Sequence, residues 1–258
     1  MFGVGLITSA VSAITGIGSQ AAAAPMIEFL LGFDAQKSKG TAIAFTLFAS
    51  SSAAIAAWNA GVKFEFAEAA LVALGAFVGA ILSVRLSLDP NLKRIRSAGQ
   101  VLGGFLALYV LLEGVRHRTG GPEILSIGSL SDNRVVLALL VGILTGSLSQ
   151  FFHLASGIFL VPILLYTRAH SSNPIPEAIA ISLTVIGLAA FLPALAHSAR
   201  KAVDQSIAPF MVAGGVIGGI GGGILLGRLS QGNTLPLIIF GLVAMYLCSY
   251  TLYRASTS

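Results

Sequence analysis

Hydrophobic residues run through this chain in long blocks rather than in alternation. Eight segments contain no Asp, Glu, Lys or Arg: 1–27, 40–62, 69–84, 97–112, 135–167, 178–199, 205–227 and 229–253. About 20 apolar residues suffice to cross the hydrocarbon core of a bilayer, so the pattern predicts an all-α polytopic membrane protein. The first and fifth blocks are too long for one upright helix, and each is interrupted near its middle. Residues 2–15 are followed by Gly16-Ile-Gly-Ser-Gln20 and then 21–32; residues 135–151 are followed by Phe152-His-Leu-Ala-Ser-Gly157 and then 158–167. Apolar pieces of about 10 to 14 residues suit re-entrant or half-crossing helices, and glycine accepts the backbone angles of a sharp turn. Pro25 and Pro162 are expected in the first turn of a second half-helix, where a missing N–H costs little. Full spans are predicted at 40–60, 65–86 and 97–113, and again at 177–197, 206–229 and 234–253.

These two sets of elements match one another. At a shift of 137, Gly5 lies over Gly142, Thr8 over Thr145, Ser12 over Ser149 and Pro25 over Pro162. Lys39–Thr46 lies over Glu177–Thr184 at a shift of 138, and Gly79–Leu86 over Gly222–Leu229 at 143. Gly104, Ala107 and Tyr109 then lie over Gly241, Ala244 and Tyr246, again at 137, and these four blocks in the same order divide the chain into a first repeat, 1–118, a polar linker, 119–134, and a second repeat, 135–258. Each repeat is then a broken helical hairpin followed by three transmembrane helices. An odd number of crossings inverts the second copy relative to the first, a common build of secondary transporters.

Composition narrows the function. Only 10% of residues are charged, 55% are hydrophobic and 30 are glycine, against roughly 25% charged in soluble domains. The net charge of +5 would suggest nucleic acid in a soluble protein, but here the basic residues sit between apolar blocks and set orientation. Nine of them (Lys37, Lys39, Arg85, Lys93, Arg94, Arg96, Arg200, Lys201 and Arg254) fall on one predicted side against six on the other, which places both termini in the cytoplasm. The single cysteine, Cys248, excludes an intrachain disulfide and a thiolate metal cluster. The first segment has no basic n-region and recurs internally, so it reads as a helix rather than a cleaved signal. No paired carboxylates, metal-spaced His/Cys set, nucleophile elbow or P-loop occurs. The sequence implies neither an enzyme nor a cofactor or metal.

A helix break inside a bilayer leaves N–H and C=O groups that only protein or a wet cavity can satisfy. At the start of a half-helix, free N–H groups and the positive end of the helix dipole together favour an anion. Gly18, Ser19 and Gln20 occupy that place in the first repeat; Ser156 and Gly157 do so in the second. Packing and local hydroxyl bonding compete with this reading for every one of them, though the amide of Gln20 needs partners for both donor and acceptor. His153, in the second break, is a candidate to bind the anion or carry a proton, because intramembrane ionisable groups mark function. Glu28 is a second proton-coupling candidate, with a snorkelling role as its alternative. Thr41 and Ser182 fall at matching places in the paired second helices, where their hydroxyls could line a polar path or bond to their own backbone; Thr46 and Thr184 share that ambiguity.

These elements resemble the TauE/SafE sulfite exporter family, also called the toluene sulfonate uptake permease family, of small bacterial anion transporters. The resemblance rests on Gly16-Ile-Gly-Ser-Gln-Ala-Ala-Ala-Ala-Pro25, on His153-Leu-Ala-Ser-Gly-Ile-Phe-Leu-Val-Pro162 and on Pro176-Glu-Ala-Ile-Ala-Ile-Ser182. Three successive glycines are common at the family's break, whereas this chain has Ser19, Gln20 and Ala21 in one copy and Ala155, Ser156 and Gly157 in the other. The resemblance implies a multi-pass protein of a bacterial inner membrane, with sulfite, an organosulfonate or a related sulfur compound as cargo. Its partners are then a small anion and the surrounding lipid, with no nucleic acid. The expectation is alternating access at a midplane site between the two breaks. A passive channel and a non-transporting membrane subunit are the competing readings.

Overall fold

The computed structural model of the chain describes residues 1–87, 93–118, 134–152, 154–167, 171, 173–229 and 233–257. His153 and the linker 119–133 lie outside the described residues. Among the described residues, ten helices account for the regular structure: α1 Phe2–Thr15, α2 Gln20–Leu31, α3 Ala35–Asn59, α4 Phe66–Ser87, α5 Lys93–Arg118, α6 Arg134–Phe152, α7 Ser156–Thr167, α8 Pro174–Ala199, α9 Ala208–Arg228 and α10 Leu235–Thr257. Within these bounds, α3, α4, α8, α9 and α10 are long and apolar enough to cross a membrane. The apolar part of α5, Ser97–Leu112, is shorter, and α1, α2, α6 and α7 are likewise short apolar helices. The chain is a multi-pass, all-helical membrane protein.

Two compact units are built from interleaved stretches, one from residues 1–64 and 179–230, the other from 65–178 and 231–258. In unit 1, α9 packs against both α1 and α3. Two adjacent glycine rows make this possible. Gly214 and Gly218 lie against the backbone of Phe2 and Leu6, and Gly222 against Ala10 and Ala13; Gly219 and Gly223, on the neighbouring face, lie against the backbone of Ala49 and Ala53 of α3. A side chain at any of these positions would hold the helices apart, so the spacing of four residues sets the close approach typical of small-residue membrane interfaces.

The chain then folds back. Val4 near the start of α1 and Ile27 near the end of α2 share one buried cluster with Ala23, Ala42, Phe45, Ala49 and Met211. Helices α1 and α2 are therefore the two arms of a hairpin, as the interrupted block predicts. The prolines fall elsewhere than expected. Pro25 is the sixth residue of α2 and Pro162 the seventh of α7, because both helices begin directly after the break rather than just before the proline. Having no N–H, Pro25 cannot donate to the carbonyl of Ala21, and Pro162 cannot donate to that of Ile158.

In unit 2, α4 packs on α6 and α10 on α5, while α7 touches α6 and α5. The α4/α6 crossing repeats the contact register of α9/α1. Gly5 meets the backbone of Met211 and Gly142 that of Val72; Gly214 meets Phe2 and Gly75 meets Leu139; Gly218 meets Leu6 and Gly79 meets Ile143. Along α1 and α6 the paired positions differ by 137, and along α4 and α9 by 139. The contacts thus pair Gly79 with Gly218, one helical turn before the Gly222 selected by sequence matching. Glycines every fourth residue make such a slip invisible to composition.

Candidate functional site

The break in unit 1 is a short, buried turn held by hydroxyl groups. Gly16 closes α1 in the left-handed region (φ 73°), and its N–H donates to the carbonyl of Ser12 at 2.7 Å. Gly18 follows with φ 104°. L side chains rarely adopt either conformation, so these two glycines are required where the chain reverses. The amide of Gly18 donates to Ser12 Oγ at 3.2 Å, and Ser182 Oγ donates to the carbonyl of Gly16 at 2.7 Å. Ser19 Oγ lies 2.9 Å from Thr46 Oγ1, and Thr46 Oγ1 in turn donates to the carbonyl of Ala42 at 2.8 Å. A hydroxyl has one proton, and that of Thr46 is committed to Ala42; Ser19 is therefore the donor of their shared bond. Ser19, Thr46 and Ser182 are at most 1% exposed.

Counting protons shows what is left for a ligand. Ser19 gives its proton to Thr46, and Ser182 gives its proton to Gly16. Ser12 Oγ accepts from Gly18, and among the described residues no acceptor takes its own proton. The hydroxyl of Ser50, one turn beyond Thr46 on α3, is buried and has no hydrogen-bond partner among the described residues. At the head of α2, Ala21 N–H donates to Gly18 O and Ala23 N–H to Ser19 O, while the amides of Gln20 and Ala22 find no acceptor among the described residues. Gln20 itself is half-buried. The break thus combines the positive end of a helix dipole with free N–H and O–H groups, and among the described residues no cationic side chain bonds to it. Such an arrangement suits a small anion.

Several expected site residues lie elsewhere. Thr41 is fully buried and accepts the N–H of Asp204 at 3.0 Å, at the head of α3, more than a turn from Thr46. There it belongs to a polar latch. Lys37 Nζ pairs with Asp204 Oδ2 at 2.7 Å and lies 4.3 Å from the centre of the Phe33 ring. The hydrogen bonds from Lys37 and Ser206 hold the Asp204 carboxyl well below the usual carboxylate range. Glu28 lies eight residues after Gln20, about 12 Å along the helix axis, at the far end of α2 from the break.

Unit 2 has its own break. Ser149 Oγ donates to the carbonyl of Leu154 at 2.7 Å, and Leu154 N–H donates to the carbonyl of Ser149. Ser149 matches Ser12 at the shift of 137, and both serines tie the end of one half-helix to the turn that follows. Ser156 is half-buried at the start of α7 and Gly157 is buried. His153 lies outside the described residues. Sequence reasoning passed over Ser12 and Ser50 as ligand groups, although the pairing of Ser12 with Ser149 was a usable signal.

The family model described as "Sulfite exporter TauE/SafE" matches residues 1–250. The chain belongs to the TauE/SafE family. Among curated proteins it is similar to two bacterial chains named "Probable membrane transporter protein", from Xylella fastidiosa strains 9a5c and Temecula1. Each is 28% identical over 261 residues, covering 98% of this chain and 94% of the relative. No solved structure matches. Membership in TauE/SafE makes the chain a membrane transporter by family, and both breaks fall inside the matched span.

Proposed function

We propose that the protein is a secondary transporter of a small anion, with sulfite, an organosulfonate or a related sulfur compound as its cargo. The observation that supports this most is the buried turn at Gly16–Gln20 with the neighbouring Ser12 and Ser50, where free amide and hydroxyl protons suit a negative guest and, among the described residues, no cation bonds to the turn. An anion leaving water for such a site loses its hydration. Preorganised N–H and O–H dipoles replace it without a permanent opposite charge that would hold the cargo too tightly to release. On this reading, Gln20, Ser12 and Ser50 donate in unit 1 and Ser156 and Gly157 in unit 2. Ser19 and Ser182 then hold the shape of the turn, with His153 binding or carrying a proton and alternating access exposing the anion to each side. The family's name supports a sulfur oxyanion; the relatives' names support transport without specifying cargo.

The test is flux in proteoliposomes containing the purified protein. Uptake of labelled sulfite or an aryl sulfonate should saturate and be competed by the other anion. Gln20→Ala combined with Ser156→Ala should lower it at least about tenfold, the loss of about 1.4 kcal/mol expected when charge-assisted hydrogen bonds disappear. Linear, uncompeted flux would favour a passive channel, and indifference to the double substitution would remove the site.

A further inference from the structure

Unit 1 has a concavity between the C-terminal halves of α3 and α9, apart from the break. It encloses about 660 Å³, within the range of small-molecule sites. Ala56 and Ala60 form its floor, because Gly223 and Gly227 of α9 come close to them. Its walls are Ile55, Ile220 and Ile224, which are 58%, 42% and 39% exposed. The hydroxyl of Ser52, at the inner end, is turned back onto the carbonyl of Ala49 at 2.9 Å. At the outer end are Asn59 and Arg228, the last residues of their helices. Arg228 has no carboxylate partner among the described residues.

We propose that this groove seats one anionic phospholipid, with its phosphate at Arg228 and Asn59 and one acyl chain along the isoleucine walls. From Ile220 to Arg228 the groove runs eight residues, about 12 Å, close to the depth of one leaflet's hydrocarbon, about half of 30 Å. Its walls are exposed on two membrane-spanning helices, so lipid is what surrounds them. Trp58, 59% exposed beside Asn59, marks the level of the interface, where such aromatic side chains concentrate. Guanidinium pairs with phosphate through two parallel hydrogen bonds, and the amide of Asn59 adds a donor. A bland role for Arg228, offsetting the dipole at the end of α9, predicts no preference among lipids; the groove beneath it predicts one.

Trp58 is the only tryptophan of the chain and serves as the reporter. The whole protein is reconstituted in vesicles that mix phosphatidylcholine and phosphatidylglycerol, with bromine on the acyl chains of one or the other to quench Trp58. Phosphatidylglycerol should occupy the site about fivefold more tightly, the effect of one interfacial cation. Arg228→Ala should bring the ratio to about one, and Arg228→Lys should keep part of it. Equal quenching by both lipids in the unsubstituted protein overturns the site. An unchanged ratio in both Arg228→Ala and Arg228→Gln does so as well, as does loss of preference on Lys63→Ala with Arg228 intact, which would indicate general surface charge. Soluble glycerol phosphate separates lipid from headgroup: the preference should survive it, and its abolition overturns a site built for an acyl chain.

Discussion

Ser182 on α8 donates its hydroxyl to the carbonyl of Gly16 at 2.7 Å, joining residues 166 positions apart in sequence. That carbonyl ends α1 and has no helical N–H to receive, so a side chain from another helix supplies the proton. One turn further along α8, the side chain of Ile186 approaches within 3.3 Å of where a Cβ on Gly18 would stand. Helix α8 therefore braces both glycines of the break, one through a hydrogen bond and the other through packing.

Removing that brace has a defined cost. Ser182→Ala leaves a buried carbonyl without a donor and should destabilise the protein by about 1–3 kcal/mol. Ser182→Thr keeps the hydroxyl and should recover most of the loss. Equilibrium unfolding in mixed micelles measures both variants. Equal stability of Ser182→Ala and the unsubstituted protein would show that the carbonyl is satisfied by another group.

The glycine rows make a second, position-specific prediction. A methyl group at Gly218 would press on the backbone of Leu6, and one at Gly79 on that of Ile143, whereas nothing lies within 4 Å at Gly221. Backbone cannot step aside as a flexible side chain can. Gly218→Ala and Gly79→Ala should each cost about 1–3 kcal/mol or more, as overpacked sites do. Gly221→Ala, open to its surroundings and within a helix, should be neutral or stabilising by up to about 1 kcal/mol. Thermal unfolding of the three variants in one detergent ranks them. If Gly221→Ala were the worst of the three, the facing of α9 would be wrong.

Much of this arrangement was legible in the sequence, for physical reasons. Charge-free blocks have to be membrane-compatible helices, and the spans read from them coincide with α3, α4, α8, α9 and α10 to within a few residues. The turn at Gly16 and Gly18 was readable because only glycine accepts those angles. Proline placement was not, because Pro25 tolerates the second turn of α2 once its lost bond falls beside the break. Nor was the division of labour among hydroxyls. Ser19, Thr46, Ser12 and Ser50 look alike in sequence, and only their partners show which proton is already spent. Thr41, read as lining a path or bonding to its own backbone, accepts the N–H of Asp204, a long-range contact with no local signature.

That loop predicts a pH effect. Hydrogen bonds from Lys37 and Ser206 depress the Asp204 carboxyl below its ordinary value, about 3.9 when unfolded. A group whose folded pKa is lowered contributes stability above its unfolded value and loses it as pH falls toward the folded one. The latch is therefore intact at pH 7 and weakens progressively below about pH 4. Lys37 is 39% exposed, so solvent screening limits the effect to about 1 kcal/mol or less. Asp204→Asn should lower stability at pH 7 by that amount and flatten this part of the acid dependence, measured as unfolding midpoints from pH 7 down to about pH 2. A variant curve parallel to the original would exclude the latch as its source.

The direction of the Ser19–Thr46 bond gives the last prediction, because the two partners are unequal. If Ser19 donates, Thr46→Val removes the acceptor of a buried hydroxyl proton and also deprives the Ala42 carbonyl of its added donor; the cost should be about 1–3 kcal/mol. Ser19→Ala removes the donor but leaves the Thr46 proton on Ala42, so it should cost about 1 kcal/mol or less. In the double variant, Thr46→Val should then cost less than it does alone, because no stranded Ser19 proton remains. Thr46→Ser preserves the hydroxyl and should behave nearly as the unsubstituted protein. Unfolding free energies of the four proteins form a double-mutant cycle. A larger loss from Ser19→Ala than from Thr46→Val would reverse the assigned donor and make the Ser19 lone pairs, rather than those of Thr46, the acceptor at the break.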